Sequence, residues 1–284
     1  MNLDIWHLCY DLKMDKFKKI SNAVIYLFAL IGLVLISGYG AIRLGWTKTA
    51  GIVDTQRETF IKDIKDIHER KPNWANSEEW RIFSQAIIKD KKDLEKASLL
   101  SGVPARLIVA QLVAEQLRLF YTQRELFKTV FAPLKLLGNQ SQFSWGVAGL
   151  KQETAQNIET NLKDITSPFY LGKSHESLLD FKTSDTDQER FARIVNGDSR
   201  FYSYLYVGLY LKQIITQWQK AGFDISDRPE ILSTLYNIGF EHSKPSGDPK
   251  VGGSALTIDG ELKSFGGLAG EFYYSDELVG VFPR

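Results

Sequence analysis

The sequence predicts a mainly α fold, because apolar residues recur at three- and four-residue steps in runs that helix caps and breakers bound. The clearest run begins at Pro104, a residue type favoured in the first turn of a helix, and continues to about residue 120. A second long run, Phe201 to Lys220, is stopped by Gly222. We therefore expect helices packed around the 104–120 helix.

Composition and charge exclude several classes of protein. The 284 residues are 44% hydrophobic and 24% charged, as in a globular chain, and the net charge of +1 gives no reason to expect nucleic acid as a partner. A single cysteine, Cys9, excludes a disulfide framework within the chain. The four histidines lie far apart and show no metal-ligand spacing, so we expect no metal site and no cofactor.

An uncharged segment, residues 20–42, is long enough to cross a hydrocarbon layer of about 30 Å as a helix. Lysines are more numerous before it than after it, which predicts a cytoplasmic tail over 1–19, a transmembrane helix over 20–42 and the remainder outside. A cleaved signal peptide is an alternative, although the apolar core is long for one and no clean cleavage site follows. A buried core helix is a second alternative.

Beyond this segment we expect a polar stalk over 43–76, a helical domain over 77–242 and a C-terminal extension over 243–284. The extension is rich in Gly, Pro and Ser, which favours a flap or an extended arm bordering the domain. The predicted helices, after the stalk, cover approximately residues 77–99, 104–120, 122–137 with a break at Pro133, 152–162, 185–195, 201–220 and 229–236.

One acid stands out, because Glu115 falls on the same helix face as Leu107, Ile108 and Leu112. A carboxyl group there is either exposed by a twist of the helix or held in an apolar pocket that raises its pKa. In the second case it stays protonated near neutral pH and can act as a general acid. A surface glutamate at the edge of an apolar face is the simpler alternative.

Three stretches in this order resemble motifs of one family. They are Gly102–Glu115 (GVPARLIVAQLVAE), Trp145–Ala155 (WGVAGLKQETA) and Leu235–Gly239 (LYNIG). Together they are similar to the lysozyme-like domain of lytic transglycosylases of the soluble-lytic type. The resemblance covers roughly residues 99–239, and its pattern is a helix ending in a catalytic Glu, a Gly-rich turn with a helix, and Tyr-Asn-x-Gly.

The resemblance implies a fold and a reaction. We expect a lysozyme-like helical domain in which Glu115 protonates the β-1,4 bond between N-acetylmuramic acid and N-acetylglucosamine of peptidoglycan. As a carboxylate it then takes the proton of the muramyl C6 hydroxyl, which closes a 1,6-anhydro ring. The N-acetyl group of the substrate can assist, so no second carboxylate is required. Glu125 and Glu153 are candidates only for a hydrolytic variant, and solvated helix charges are the simpler interpretation.

The same resemblance places the protein at the bacterial inner membrane, with its helical domain on the periplasmic side and peptidoglycan strands as its partner. Two glycines in the 146–152 turn let the backbone approach a sugar closely. Gln152 is expected to bind an acetamido group, and Tyr236 is expected to steer the carboxyl or the sugar. The predicted substrate-binding residues are Gly146, Gly149, Leu150, Gln152, Tyr236 and Asn237.

Two departures keep other functions open. The family commonly has Ser after the Glu and Met in the second motif, whereas this chain has Gln116 and Lys151. A muramidase that uses water, or a peptidoglycan-binding scaffold without catalysis, are therefore alternatives. We expect the aromatic residues between 201 and 210 to be core rather than a sugar platform, and His242 is a candidate for the border of the cleft.

Overall fold

The structure is a computed structural model that describes eleven positions between 22 and 37 and residues 71–121, 144–258 and 261–284. The chain forms two compact units, 1–52 and 53–284. In the first unit the described positions are all helical, and its large apolar side chains are exposed. The predicted tail over 1–19, both ends of the predicted span and the stalk as far as residue 70 lie outside the described residues.

Among the described residues, no single helix is long and apolar enough to cross a membrane. Lys91–Ser101 and Ala105–Arg118, which meet at a bend of 118°, reach the required length and composition only when taken together.

The second unit is mainly helical, which confirms the mainly α part of the predicted fold class, while the lysozyme-like arrangement stays a prediction. Short 3-10 turns occur at Asn73–Asn76, Lys173–His175 and Phe240–His242. Two antiparallel pairs are the strands found here: β1 (Ser144–Trp145) with β2 (Leu150–Lys151), and β3 (Ala255–Ile258) with β4 (Glu261–Ser264). The helices are α1 (Glu78–Lys89), α2 (Lys91–Ser101), α3 (Ala105–Tyr121), α4 (Gln152–Lys163), α5 (Thr186–Val195), α6 (Phe201–Lys220), α7 (Pro229–Ile238) and α8 (Phe265–Tyr274).

Helix α3 is the centre of this unit, as its apolar sequence predicts. It packs against α1, α2, α6, α7 and α8, so apolar side chains are buried on every face and not along one stripe only. From Leu107 to Leu117 every residue except Gln116 is at least 96% buried. The last turns of α3 are therefore held rigidly from several sides.

The predicted single helix over 77–99 is wrong, because it is interrupted at Asp90. The Asp90 carboxylate accepts hydrogen bonds at 2.6 Å from both Arg200 and the Tyr204 hydroxyl of α6. Three residues later, Asp93 accepts from the Ser199 hydroxyl and the Arg200 backbone N–H. These hydrogen bonds hold α2 against the start of α6. Helical periodicity in the sequence does not reveal them.

The aromatic residues of α6 belong mainly to the core, as expected. Tyr204, Tyr206 and Tyr210 are almost fully buried, whereas Phe201 and Tyr202 are half-buried. Burial raises the pKa of Tyr206 above its ordinary value, and its hydroxyl donates to Glu159 of α4. This tyrosine therefore joins α6 to α4.

The C-terminal segment corrects the expectation of a flap or arm over 243–284. It forms the β3–β4 hairpin and α8, and α8 packs against α3 and α7. Phe265, Leu268, Phe272 and Phe282 are at most 1% exposed. No compact unit ends at residue 242, so 243–284 belongs to the same core as the helices before it.

Arg106, in the first turn of α3, ties this segment in place. Its side chain is fully buried, and its five N–H groups donate to five backbone carbonyls at 2.8–3.1 Å. Burial lowers the pKa of Arg106 to about 10, which still leaves the guanidinium charged at neutral pH. The five carbonyls belong to Phe272, Tyr273, Ser275, Glu277 and Phe282.

Replacing Arg106 therefore tests how far the fold depends on this contact. Arg106→Met removes all five donors and leaves buried carbonyls unpaired, so we expect the free energy of unfolding to fall by about 3–5 kcal/mol. Urea denaturation of the full chain, followed by circular dichroism, measures it. Arg81→Met, which removes only an exposed ion pair with Glu78, should leave the midpoint unchanged. A loss below about 1 kcal/mol for Arg106→Met would contradict this account.

Candidate functional site

Glu115 lies in the last turns of α3 and is 4% exposed, so the alternative of an exposed surface glutamate is wrong. The expectation of a purely apolar pocket is also wrong. One turn further along the helix, Arg118 donates from Nη2 to Glu115 Oε1 at 2.5 Å and from Nε to Oε2 at 3.2 Å. The carboxyl group is therefore buried but ion-paired through both oxygens.

The turn between β1 and β2 contacts this carboxyl group directly. Gly146 and Gly149 have φ values of +62° and +60°, which favour glycine. A Cβ atom on Gly149 would lie 2.0 Å from Glu115 Oε1, which leaves no room for any side chain. We predicted that these glycines allow close approach to a sugar, and the approach found is to the carboxyl group.

Two side chains fix the backbone of the turn between the glycines. Gln116 Nε2 donates to the Val147 carbonyl at 2.5 Å, and the Tyr236 hydroxyl donates to the Ala148 carbonyl at 3.0 Å. Gln116 thus has a defined task at the position where the family commonly has Ser. The turn is held from α3 and from α7 at once.

Tyr236 brings the third motif to the same place. Its ring packs against Tyr210 and, nearly parallel, against Phe265, with centroid distances of 5.0 and 6.3 Å. Burial and then the nearby Glu115 carboxyl raise the pKa of Tyr236 well above its ordinary value, so the hydroxyl keeps its proton. It therefore acts as a stable donor to the turn.

The other predicted site residues lie further from the carboxyl group. Leu150 is 4% exposed and its side chain belongs to the hydrophobic core, so a role for it in substrate binding stays a prediction. Gln152 is the half-buried first residue of α4. Asn237 Oδ1 accepts from the backbone N–H of Ser254 at 2.8 Å and from its hydroxyl at 2.9 Å, so it anchors the C-terminal segment.

The sequence analysis missed two features of this group, which are the ion pair made by Arg118 and the hydrogen bond donated by Gln116. The signal for Arg118 was present, because opposite charges three residues apart on a helix can pair. The role of Gln116 had no local signal, since its partner lies 31 residues further along the chain.

The other candidates within the described residues do not join the group. Glu153 and Lys151 are exposed. Glu125 lies outside the described residues. His242 lines a separate cavity of about 410 Å³ between α7 and the segment 244–253, and none of the predicted site residues lines it. Within the described parts of the chain, no three His, Cys, Asp or Glu side chains are placed to hold a metal ion.

Comparisons with known proteins add no relative. No protein family model, no curated protein and no solved structure matches the chain. The resemblance to lytic transglycosylases therefore stays a prediction that depends on the three motifs.

Gly149 provides a test of the site geometry. Gly149→Ala would place a methyl carbon 2.0 Å from Glu115 Oε1, so the turn or the ion pair must move. Overpacking of this kind costs about 1–3 kcal/mol in addition to the backbone strain. Gly102→Ala is the matched control, because Gly102 has a similar φ of +68° and no atom closer than 4.0 Å to an added Cβ. Thermal unfolding should show the larger loss for Gly149→Ala, and equal losses would contradict the contact.

Proposed function

We propose that the protein is a membrane-anchored lytic transglycosylase that cleaves peptidoglycan, with Glu115 as general acid and base. The proposal includes a lysozyme-like fold for the helical unit. The observation that carries it is the meeting of three separate motifs around one buried carboxyl group. Gly149, from the second motif, contacts the carboxyl group, and Tyr236, from the third motif, lies beside it.

The proposed reaction needs one carboxyl group in two roles. Protonated Glu115 gives its proton to the glycosidic oxygen, and the bond from that oxygen to muramyl C1 breaks. The C6 hydroxyl of the same sugar then bonds to C1 and returns a proton to Glu115. The cleaved glycan strand is left with an N-acetylglucosamine end on one side and a 1,6-anhydromuramyl end on the other, and no water is consumed. One acid that is regenerated in each cycle suffices for this reaction.

The surroundings of Glu115 suit positioning of that acid. The carboxyl group rests against the Gly149 backbone, and the turn is fixed by Gln116 and Tyr236. Groups held in this way lose little freedom when substrate binds, which favours catalysis. Lys151, exposed at the end of β2, provides a positive charge for the peptide carboxylates of peptidoglycan.

The location forms part of the proposal. An uncharged segment over 20–42, with lysines before it, supports an anchor in the bacterial inner membrane and a periplasmic catalytic unit. The exposed apolar side chains of the helical positions between 22 and 37 support the same arrangement. Peptidoglycan is accessible on that side of the membrane.

A scaffold without catalysis is the second candidate, and one observation favours it. The pairing of Glu115 with Arg118 satisfies the carboxyl group within the protein, as in a structural ion pair. Such a protein would bind glycan strands without cleaving them.

Digestion of purified sacculi by the full chain in detergent distinguishes these functions. Release of anhydro-muropeptides, identified by mass, supports the proposal, and Glu115→Gln should reduce that release at least about 100-fold. Glu153→Gln, an exposed acid on α4, should cleave at the wild-type rate. Reducing ends instead of anhydro products would indicate a muramidase, and binding without release would indicate a scaffold.

A further inference from the structure

The ion pair between Arg118 and Glu115 is buried and lies at the centre of the site. The two side chains are 8% and 5% exposed, and the guanidinium engages both carboxyl oxygens. A buried carboxylate that loses its charged partner is strongly destabilised, so Glu115 depends on the positive charge of Arg118.

This arrangement opposes one step of the reaction above. A general acid must carry a proton before it can give one, whereas a two-point contact with a guanidinium favours the ionised carboxylate. As found in the structure, both oxygens of Glu115 accept hydrogen bonds from the Arg118 guanidinium, so the carboxyl group is engaged within the protein. Acid catalysis then requires that the guanidinium first withdraw from the carboxyl group.

We propose that Arg118 regulates the site by holding Glu115 as a carboxylate at rest, so that the acid step begins only when Arg118 releases it. This inference rests on the proposed function. Arg118 is a positioning residue here, because it acts through Glu115 and not on the substrate.

The other groups around Glu115 show what release would do. From α7 the titratable group that faces it is Tyr236, whose hydroxyl already donates to the Ala148 carbonyl. Behind it, Tyr210 of α6 is fully buried and carries a raised pKa, so both phenols are neutral. The turn contributes the uncharged Gly149 backbone. Once Arg118 leaves, these described neighbours supply no positive charge, and a buried unpaired carboxylate takes up a proton.

Infrared difference spectroscopy of the full chain in detergent tests the resting state without relying on activity. The spectrum of wild type minus Glu115→Gln at pH 7 should contain the carboxylate bands of Glu115 and no band of a protonated carboxyl group. Arg118→Met keeps an unbranched side chain of similar reach but removes the charge. Its difference against the double variant Arg118→Met/Glu115→Gln should show the protonated carboxyl band.

Activity then tests the consequence. Arg118→Met should release anhydro-muropeptides from sacculi at pH 7 about tenfold faster than wild type or more, because its acid is already protonated. Arg118→Lys is the matched control: it keeps a positive charge, so its Glu115 should stay ionised and its rate should not exceed that of wild type. If Arg118→Met does not fold, the spectrum of wild type minus Glu115→Gln still tests the proposal, because a protonated carboxyl band of Glu115 in it overturns the role of Arg118.

Failure of this inference and failure of the proposed function give different results. A protonated Glu115 in the wild type at rest, or slower cleavage by Arg118→Met than by wild type, overturns the role of Arg118. The expected infrared bands without cleavage by any variant support the role of Arg118 in setting the protonation of Glu115 and overturn the glycan-cleaving function.

Discussion

The burial of Arg106 is the constraint on which the rest of the helical unit depends. A guanidinium in the core is tolerable only if all of its donors are paired, and the five carbonyls of the C-terminal segment meet that condition. The same contact seats α8 against the first turn of α3. With its first turn fixed in this way, α3 carries Glu115, Gln116 and Arg118 to one place at its other end.

The helices and their central acid were predictable from sequence because the signals are local. Caps, breakers and apolar spacing located α3, α4, α5, α6 and α7 closely, whereas the apolar face of α3 left open whether Glu115 is exposed or buried. The break at Asp90 was not predictable, because its partners on α6 lie more than 100 residues away. The prediction of a flap or arm over residues 243–284 failed for a related reason. Its Gly and Ser content suggests loops, while its burial depends on a distant arginine.

The site was predictable as a set of residues but not as a network. Motif order selected the turn and Tyr236, and the structure brings both to Glu115. Leu150, which was predicted from the motif alone, pairs with Trp145 in the β1–β2 hairpin, and its side chain lies in the hydrophobic core. The two departures from the family pattern have different outcomes. Gln116 replaces Ser with a longer donor that reaches Val147, whereas Lys151 is simply exposed.

The reach of Arg106 has a consequence for how the protein is made. Its carbonyl partners follow it by 166 to 176 residues, so no part of that contact can form while residues 107–271 are still being synthesised. Until residues 272–282 are present, the Arg106 guanidinium has none of these five acceptors, and contacts between such distant residues form slowly. Burial of Arg106 in its final position therefore follows the synthesis of residues 272–282.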